Sequence, residues 1–211
     1  MVDTEETEDA SADSSESGEA ASSEPDAFFN EEFEGELSNW SYFFAKGAES
    51  LMNIKSEAGR MVFEINGKYS QIRLLYNPYL YTDVRLDTKV ENRGKNSNNV
   101  SLICRYSDDG WYEFMISNEG TYAIVVHDAV SNLEVNLHNG GSTAILSGKN
   151  INEYTAFCVG NTLSLYVNGV KLHALTDNKY GMRDGQVGMA VSSYEALPII
   201  VEMDWFNISQ P

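Results

Sequence analysis

Short segments in which apolar and polar residues alternate follow one another from Phe28 to the end of this chain. They are rich in Val, Ile, Tyr, Phe and Trp, and clusters of Gly, Asn, Asp and Ser separate them, as expected for β-strands joined by turns. Strands are predicted near 28–34, 40–45, 60–65, 69–75, 80–91, 99–107, 111–117, 121–127, 153–159, 162–167, 170–175, 186–193 and 198–208. Only the segment 46–54, "KGAESLMNI", indicates a helical turn. The pattern predicts an all-β, antiparallel two-sheet β-sandwich.

The first 26 residues differ in composition from the rest of the 211-residue chain. They hold ten acidic residues and no Lys or Arg, which leaves −8 of the net charge of −18 on residues 27–211. Such a segment buries too little apolar area to offset chain entropy, so 1–26 is predicted to be a disordered acidic tether and 27–211 the folded domain. A solubilising tail without a specific role is an equally good interpretation.

The acidity of the chain also bears on its partners. Phosphate groups repel acidic proteins, so nucleic acid and anionic membrane surfaces are not expected to bind. No apolar run is long enough to span a bilayer, and Met1 leads directly into acidic residues without a signal-peptide pattern. Direct membrane insertion is therefore not expected.

The dipeptide Asn168-Gly169 is the strongest hairpin signal in the chain. A type I′ turn needs positive φ at both central positions, and Asn followed by Gly meets this need. The turn predicts that Val167 opposes Val170 and that Leu165 opposes Leu172, which makes one face of the hairpin apolar.

The stretch 98–127 predicts three consecutive antiparallel strands. The loops "DDG" and "NEG", each ending in glycine, connect them. With loops of this length, Cys104 opposes Phe114, and Phe114 opposes Ile124 on the next strand. A slip of one residue would expose the apolar set, so these residues are predicted to face the core.

The outward face of the same three strands carries unusual residues. Trp111 is predicted to lie beside His127, and Arg105 opposite Glu113 in the next row. In a purely structural interpretation, Arg105 and Glu113 form a cross-strand pair and Trp111 packs under a loop. In a functional one, Trp111 stacks on a sugar ring while Arg105 and His127 bind its hydroxyls, with Glu113 beside them. If Trp111 is buried, the alternative platform is the segment "YNPYLY", with Tyr76, Tyr79 and Tyr81.

Several segments carry a resemblance to a known family. They are "FNEEFEGELSNW", "SLICRYSDDGWYEF", "EYTAFCVGNTLSLYVNGVKL", "DGQVGMAVSS" and "VEMDWFNIS". Together they resemble a bacterial concanavalin A-like jelly roll of the LamG-like subgroup, similar to the domain of 3-keto-disaccharide hydrolases and of secreted lipoproteins. The resemblance covers roughly 28–209 and is specific for the fold, which hosts lectins, glucanases and structural modules alike.

From the residues alone, Cys104 and Cys158 either form one disulfide or remain two buried thiols. The resemblance favours a Cys104–Cys158 bridge. It also implies a candidate structural calcium site between the first and last strands, where the available acids are Glu31, Glu32, Glu34 and Asp204, and Glu32 and Asp204 are the candidate ligands. No other cofactor is expected.

Glycoside hydrolysis is the enzymatic alternative that this fold suggests. The glucanase branch carries Glu-x-Asp-x-x-Glu on one strand, which places carboxylates on one face. The closest match here begins at Glu202 and Asp204, but Asn207 stands where the third carboxylate should be. The motif is incomplete, so no catalytic residue is assigned. The three histidines are too scattered in sequence to predict a metal site.

These observations predict a non-catalytic, extracytoplasmic carbohydrate-binding module that contacts a polysaccharide through an outward sheet face. It would belong to a secreted protein or a cell-surface lipoprotein, with 1–26 as an acidic linker. A structural or adhesion domain without a glycan ligand is the alternative, and a glycoside hydrolase-like enzyme is the third.

Overall fold

The computed structural model describes Met1 and residues 25–211. Most of the predicted tether, 2–24, lies outside the described residues. The described residues form one 3₁₀ turn, Glu49–Leu51, and the following strands: β1 (Phe29–Glu31), β2 (Trp40–Lys46), β3 (Met52–Glu57), β4 (Arg60–Ile65), β5 (Gln71–Tyr81), β6 (Val84–Asn92), β7 (Asn98–Ser107), β8 (Gly110–Ser117), β9 (Thr121–Asp128), β10 (Leu133–Gly141), β11 (Ile151–Val159), β12 (Thr162–Val167), β13 (Val170–Thr176), β14 (Gly185–Ser193) and β15 (Ile199–Ser209).

The strands form two antiparallel sheets packed face to face, so the predicted all-β sandwich is confirmed. One sheet has the order β13-β12-β11-β6-β15-β4-β3, with β1 paired to β15. The other has the order β10-β9-β8-β7-β14-β5-β2. We call them the eight-stranded and the seven-stranded sheet. Within the described residues, no helix is long and apolar enough to cross a membrane.

The core lies between the inner faces of the two sheets, where alternate residues of each strand are buried. On β8, for example, Tyr112, Phe114 and Ile116 are almost inaccessible to solvent. Cys104 on β7 and Cys158 on β11 form a disulfide, which confirms the expected bridge. Because β7 and β11 belong to different sheets, the bond ties the two layers of the sandwich together.

Two observed strands, β3 and β10, were not predicted. Each lies at the edge of its sheet. β3 is polar and exposed over most of its length, and β10 contains Asn and Gly, which are depleted in strands. The predicted helical turn is present but short, and β3 follows it directly. The predicted strand 80–91 is in fact divided between β5 and β6.

The β12–β13 hairpin follows the predicted register only near its turn. Asn168 and Gly169 both have positive φ, and Val167 opposes Val170 as expected. A bulge then shifts the pairing, so that Leu165 opposes His173 instead of Leu172. Local alternation cannot reveal an extra residue of this kind, because each side of the bulge still alternates correctly.

A second bulge corrects the predicted pairing of β7 with β8. Cys104 opposes Tyr112 instead of Phe114, and the register shifts between Cys104 and Ser107. Arg105 adopts a left-handed conformation within the bulge, with φ of 55°. The predicted β8–β9 register, in which Phe114 opposes Ile124, is confirmed.

Candidate functional site

The outer face of the seven-stranded sheet contains a cluster of polar and aromatic side chains centred on β8. Because Tyr112 and Phe114 point into the core, their neighbours Trp111 and Glu113 point outward. Trp111 lies opposite His127 on β9, as the sequence predicted. Glu113 lies in the next row, between Ile103 on β7 and Val125 on β9.

Glu113 is the centre of this cluster although its exposure to solvent is 0%. Its Oε2 lies 2.8 Å from His127 Nε2 and accepts a hydrogen bond of 3.4 Å from Trp111 Nε1. Its Oε1 accepts one of 3.4 Å from Gln71 Nε2 on β5. Burial opposes ionisation of Glu113, but His127, Ser101 and Arg73 outweigh it and lower the pKa of the carboxyl. The face is therefore built around a buried carboxylate.

Trp111 is part of a stack of side chains. The His127 ring lies parallel to the Trp111 indole at 4.4 Å between centroids. The Tyr106 ring also packs against the indole, at 4.9 Å between centroids. The Arg73 guanidinium lies over the indole at 4.4 Å from its centroid. His127 and Arg73 come from strands on opposite sides of β8. Trp111 is thus half-buried and supports its neighbours, instead of presenting a free ring.

Arg73 has a setting unlike that of the other arginines that interact with the sheets. Within residues 25–211 it makes no ion pair, and its Nε is buried without a hydrogen-bond acceptor. Besides Trp111, it lies over the Phe43 ring at 5.8 Å. Two aromatic rings therefore contact a guanidinium that has no hydrogen-bond acceptor among the described residues.

Arg105 does not belong to this face, and the predicted Arg105–Glu113 pair does not form. The bulge turns its side chain to one end of the sandwich, where it is 2% exposed. There Nε and Nη2 donate to the carbonyl of Thr82 at 3.0 and 2.9 Å, and Nη1 donates to that of Met182 at 2.9 Å. Burial lowers the pKa of Arg105. Arg105 anchors two connections between strands.

Tyr76, Tyr79 and Tyr81 lie together, but their hydroxyls are engaged. They donate to the backbone carbonyls of Asp26, Pro25 and Ala27 at 2.9, 2.5 and 2.6 Å, respectively. Tyr76 and Tyr81 are almost fully buried. The tyrosine-rich segment thus holds the backbone that precedes β1, a role that the sequence analysis did not anticipate.

Two adjoining cavities open on the outer face of the seven-stranded sheet. One measures about 310 Å³ and lies over β2, β5, β14 and the outward residues of β8. The other measures about 690 Å³ and lies over β7 to β10. Both have Met115, Glu134 and Tyr194 in their walls. We call them the cationic and the amide cavity, and together the groove.

The walls of the groove are mainly polar. Those of the cationic cavity include Lys46, Tyr69, Gln71, Arg73, His127 and Ser192. Those of the amide cavity include Asn99, Ser117, Glu119, Tyr122, Asn136 and Asn139. Amides, hydroxyls and tyrosine rings are the groups that fix a polyhydroxylated ligand in a binding site.

A larger cavity, of about 910 Å³, lies at one end of the seven-stranded sheet. Turns and connections line it, among them 106–109 and 179–186. Its walls carry the exposed side chains of Leu80 and Val130. We place the candidate site in the groove instead, because only the groove adjoins the buried carboxylate and the uncompensated guanidinium.

Glu32 and Asp204, the candidate calcium ligands, are engaged by protein groups in this structure. Asp204 Oδ2 lies 2.7 Å from Lys89 Nζ, and its Oδ1 lies 3.6 Å from Arg60 Nε. Glu32 accepts a hydrogen bond from the Asn30 amide. Two side-chain cations already neutralise Asp204, and among the described residues no three His, Cys, Asp or Glu side chains form a group suited to a metal ion.

The structure separates His127 from the other two histidines. His138 on β10 and His173 on β13 stack at 3.3 Å between ring centroids, where the edges of the two sheets meet. Burial, together with His138, lowers the pKa of His173. The sequence places these two residues far apart and gives no sign of the contact.

Solved structures share this architecture. A GH16 protein of the Bacteroides ovatus mixed linkage glucan locus, solved in complex with its product, superposes with a TM-score of 0.64 over 86% of this chain and 99% of its own, at 10% identity. A Bacillus subtilis protein of unknown function with a galectin-like fold gives 0.67 over 86% and 94%, at 8% identity. The carbohydrate-binding module CBM66 from Bacillus subtilis gives 0.58 over 78% and 91%, at 10% identity.

The chain has a concanavalin A-like jelly-roll fold. These identities establish the fold alone. No protein-family model matches the sequence, and no curated protein matches it either. The jelly-roll fold agrees with the resemblance seen in the sequence, while the residues of the groove have to be interpreted from their own chemistry.

Sequence reasoning found only part of the cluster. Trp111, Glu113 and His127 were predicted together, but Gln71, Arg73 and Tyr194 were missed. Gln71 and Arg73 alternate outward on β5, next to the buried Ile72 and Leu74. That alternation was a usable signal for their orientation, but it could not show that β5 lies two strands away from β7 across β14.

Proposed function

We propose that the groove on the seven-stranded sheet binds a glycan without cleaving it. The observation that supports this most is the groove itself, whose walls combine amides, hydroxyls and tyrosine rings around a buried carboxylate. Glu113 keeps Gln71, Trp111 and His127 in place through its contacts. A polar surface that is already ordered loses less conformational entropy when a flexible polysaccharide binds.

Tyr194 is the residue that we expect to contact the glycan most directly. It borders both cavities, and its hydroxyl accepts a hydrogen bond from Asn99 Nδ2. Its ring lies next to half-buried and exposed polar groups, which suits a sugar ring that has one apolar face and several hydroxyls. Tyr194 therefore replaces Trp111 as the proposed platform.

The burial of Glu113 supports a non-catalytic role. A retaining glycosidase needs two carboxylates about 5.5 Å apart, and both must reach the scissile bond. Glu113 has no exposed surface and is engaged by His127 and Gln71. It can orient neighbouring side chains but cannot reach a sugar carbon without leaving its site.

The neighbours in structure and the disulfide support the broader setting of this proposal. One neighbour was solved with a glucan product and another is a carbohydrate-binding module. The Cys104–Cys158 disulfide is typical of oxidising, extracytoplasmic environments. We therefore propose a secreted or cell-surface protein, with the lipoprotein assignment resting on the resemblance of residues 28–209 to the domain of secreted lipoproteins.

A glycan array with plant, microbial and host polysaccharides tests the proposal. The native protein should bind at least one class, and Tyr194→Ala should weaken that binding by about tenfold, as expected for one lost aromatic contact. Tyr166→Ala is the matched control, because Tyr166 lies on the outer face of the eight-stranded sheet. Silence across the array would favour the structural or adhesion domain, and release of reducing sugar would favour an enzyme.

A further inference from the structure

We propose that Arg73 binds a carboxylate of the glycan, so that the ligand is an acidic polysaccharide built from uronic acids. This inference rests on the proposed glycan-binding function and names its ligand class. It starts from the arginines that contact the sheets. Arg60, Arg85 and Arg93 each lie within ion-pair distance of a carboxylate, and Arg105 donates to backbone carbonyls. Within residues 25–211, Arg73 alone of these five has neither kind of partner.

The setting of Arg73 makes the missing partner significant. Its side chain is partly buried, so water cannot solvate the whole guanidinium, and its Nε is inaccessible and unpaired among the described residues. A charged group in such a place is stable only when another group compensates it. The rings of Trp111 and Phe43 supply part of the compensation through cation–π contacts. Hydrogen-bond acceptors for the Nη groups, which are not among the inaccessible atoms, are still missing among the described residues, and a ligand can supply them.

Glu113, a carboxylate in the wall of the same cavity as Arg73, does not fill that role. His127 contributes most to offsetting the cost of ionising the buried Glu113. Glu113 also contacts Gln71 and Trp111. It interacts with Arg73 only through space and makes no ion pair with it. Lys46 lies in the wall of the same cavity and makes no ion pair within the described residues. The cationic cavity thus has two cations without an ion pair available for a ligand, beside the exposed carboxylate of Glu134 in the same wall and although residues 27–211 carry a net charge of −8.

The chemistry of guanidinium points to a carboxylate. Its planar N–H groups match the two oxygens of a carboxylate and form two parallel hydrogen bonds, which lysine cannot do. Contact with Trp111 and Phe43 holds the guanidinium in place before the ligand arrives, so less entropy is lost on binding. Sugar hydroxyls then occupy the neighbouring amide cavity, where Asn136 and Asn139 can bind them. A uronic acid provides both groups on one ring.

The test uses the full chain and four uronate polymers: polygalacturonate, alginate, hyaluronate and heparosan. At least one should bind, and its carboxyl-reduced form should bind about tenfold or more weakly, since a charge-assisted bidentate contact is lost. Arg73→Lys and Arg73→Met should each weaken the same interaction by about tenfold or more. Arg93→Met, just after β6 and paired with Glu202 of the eight-stranded sheet, is the matched control and should bind like the native protein. Binding should also change the tryptophan fluorescence, because the guanidinium lies on Trp111.

The outcomes separate this inference from the proposed function. Binding of neutral polysaccharides with no uronate bound, or equal binding of native and carboxyl-reduced polymer, would overturn the uronate assignment and leave glycan binding standing. Equal affinity for dextran sulfate would show general attraction of anions and would also overturn it. If no polysaccharide of any class binds, the proposed function and the inference both fail. Melting curves for Arg73→Lys identify any loss that comes from unfolding, and a variant that binds normally refutes the role of Arg73.

Discussion

Glu113 shows how one residue can organise a surface without being part of it. A fully buried carboxylate is costly unless other groups compensate its charge. Here His127, Gln71 and Trp111 do so, and two of them, His127 and Gln71, lie in the wall of the groove. The same contacts that stabilise the charge therefore fix the side chains that a ligand would meet.

Replacing Glu113 with Gln should destabilise the protein near neutral pH by about 2 kcal/mol, because charge-assisted contacts in a buried site become neutral ones. The pKa of Glu113 is lowered on folding from its ordinary value of 4.5, because His127, Ser101 and Arg73 outweigh the effect of burial. Its ionised form thus contributes stability above pH 4.5, and that contribution is lost as the pH falls through the folded-state pKa. Urea unfolding of both proteins across this range should give a difference that shrinks toward acid pH.

The control for this comparison is Glu153→Gln, an exposed carboxylate on β11 of the other sheet. Its stability should follow that of the native protein at every pH. A Glu113→Gln protein with native stability at pH 7 would mean that the carboxyl is not ionised in the folded state, contrary to the lowered pKa.

At the scale of single residues, the sequence predicted which side chains point outward but not which strands bring them together. Alternation placed Trp111 and Glu113 outward, and a local turn paired Trp111 with His127. Arg73 joins them only because β14 inserts between β5 and β7. That order depends on the packing of the whole sandwich, so no local pattern could assign Arg73 to the site.

At the scale of elements, the bulge at Arg105 decides which residues face the groove. Without it, Arg105 would lie on the outer face, as the sequence predicted. The bulge turns Tyr106 outward onto Trp111 and directs Arg105 to the carbonyls of Thr82 and Met182. A left-handed non-glycine residue costs roughly 1–3 kcal/mol, which these hydrogen bonds to a charged group can offset. Turn chemistry predicted the loop, but β7 itself contains no glycine that would indicate the bulge.

Gly185 on β14 makes this bulge possible. A Cβ at this position would lie 2.3 Å from the carbonyl carbon of Arg105 and 2.6 Å from the amide nitrogen of Tyr106. Gly185→Ala should therefore force β14 and β7 apart and destabilise the protein by about 1–3 kcal/mol. Urea unfolding measures the change, and Gly35→Ala is the control because a Cβ there meets nothing within 4 Å. Equal stability of the two variants would show that β14 shifts freely and that the close approach does not constrain the bulge.

On the scale of the whole molecule, the fold was more predictable than the site. Strand content and the inward faces follow from alternation, and the Cys104–Cys158 bridge between the sheets followed from resemblance. The edge strands β3 and β10 were missed because an edge tolerates polar residues, so the periodic signal weakens there. The core is a property of many residues at once and survives such errors, whereas a binding site depends on a few contacts between distant strands.

The contacts of Tyr76, Tyr79 and Tyr81 locate the start of the folded domain more exactly than the composition of the sequence did. The sequence placed the boundary at 26/27, yet the carbonyls of Pro25, Asp26 and Ala27 accept hydrogen bonds from three tyrosine hydroxyls. A chain that starts at Pro25 keeps these acceptors, and we expect it to melt like the full chain. A chain that starts at Phe28 leaves the hydroxyls of Tyr76 and Tyr81 buried without partners. Each hydroxyl that water cannot reach should lower the free energy of unfolding by about 1–3 kcal/mol.

Thermal melts of the two truncated chains measure this difference, and Tyr81→Phe provides the matched control. In that variant the hydroxyl is absent from the start, so removing Ala27 should cost less than it does in the native background. The rings of Phe28 and Phe29, which contact Tyr81 and Tyr76, stay in both truncated chains, so packing is not the variable. Identical melting temperatures for chains starting at Pro25 and Phe28 would show that the tyrosines do not hold this segment. A lower melting temperature for the chain starting at Pro25 than for the full chain would mean that residues before it contribute to the fold.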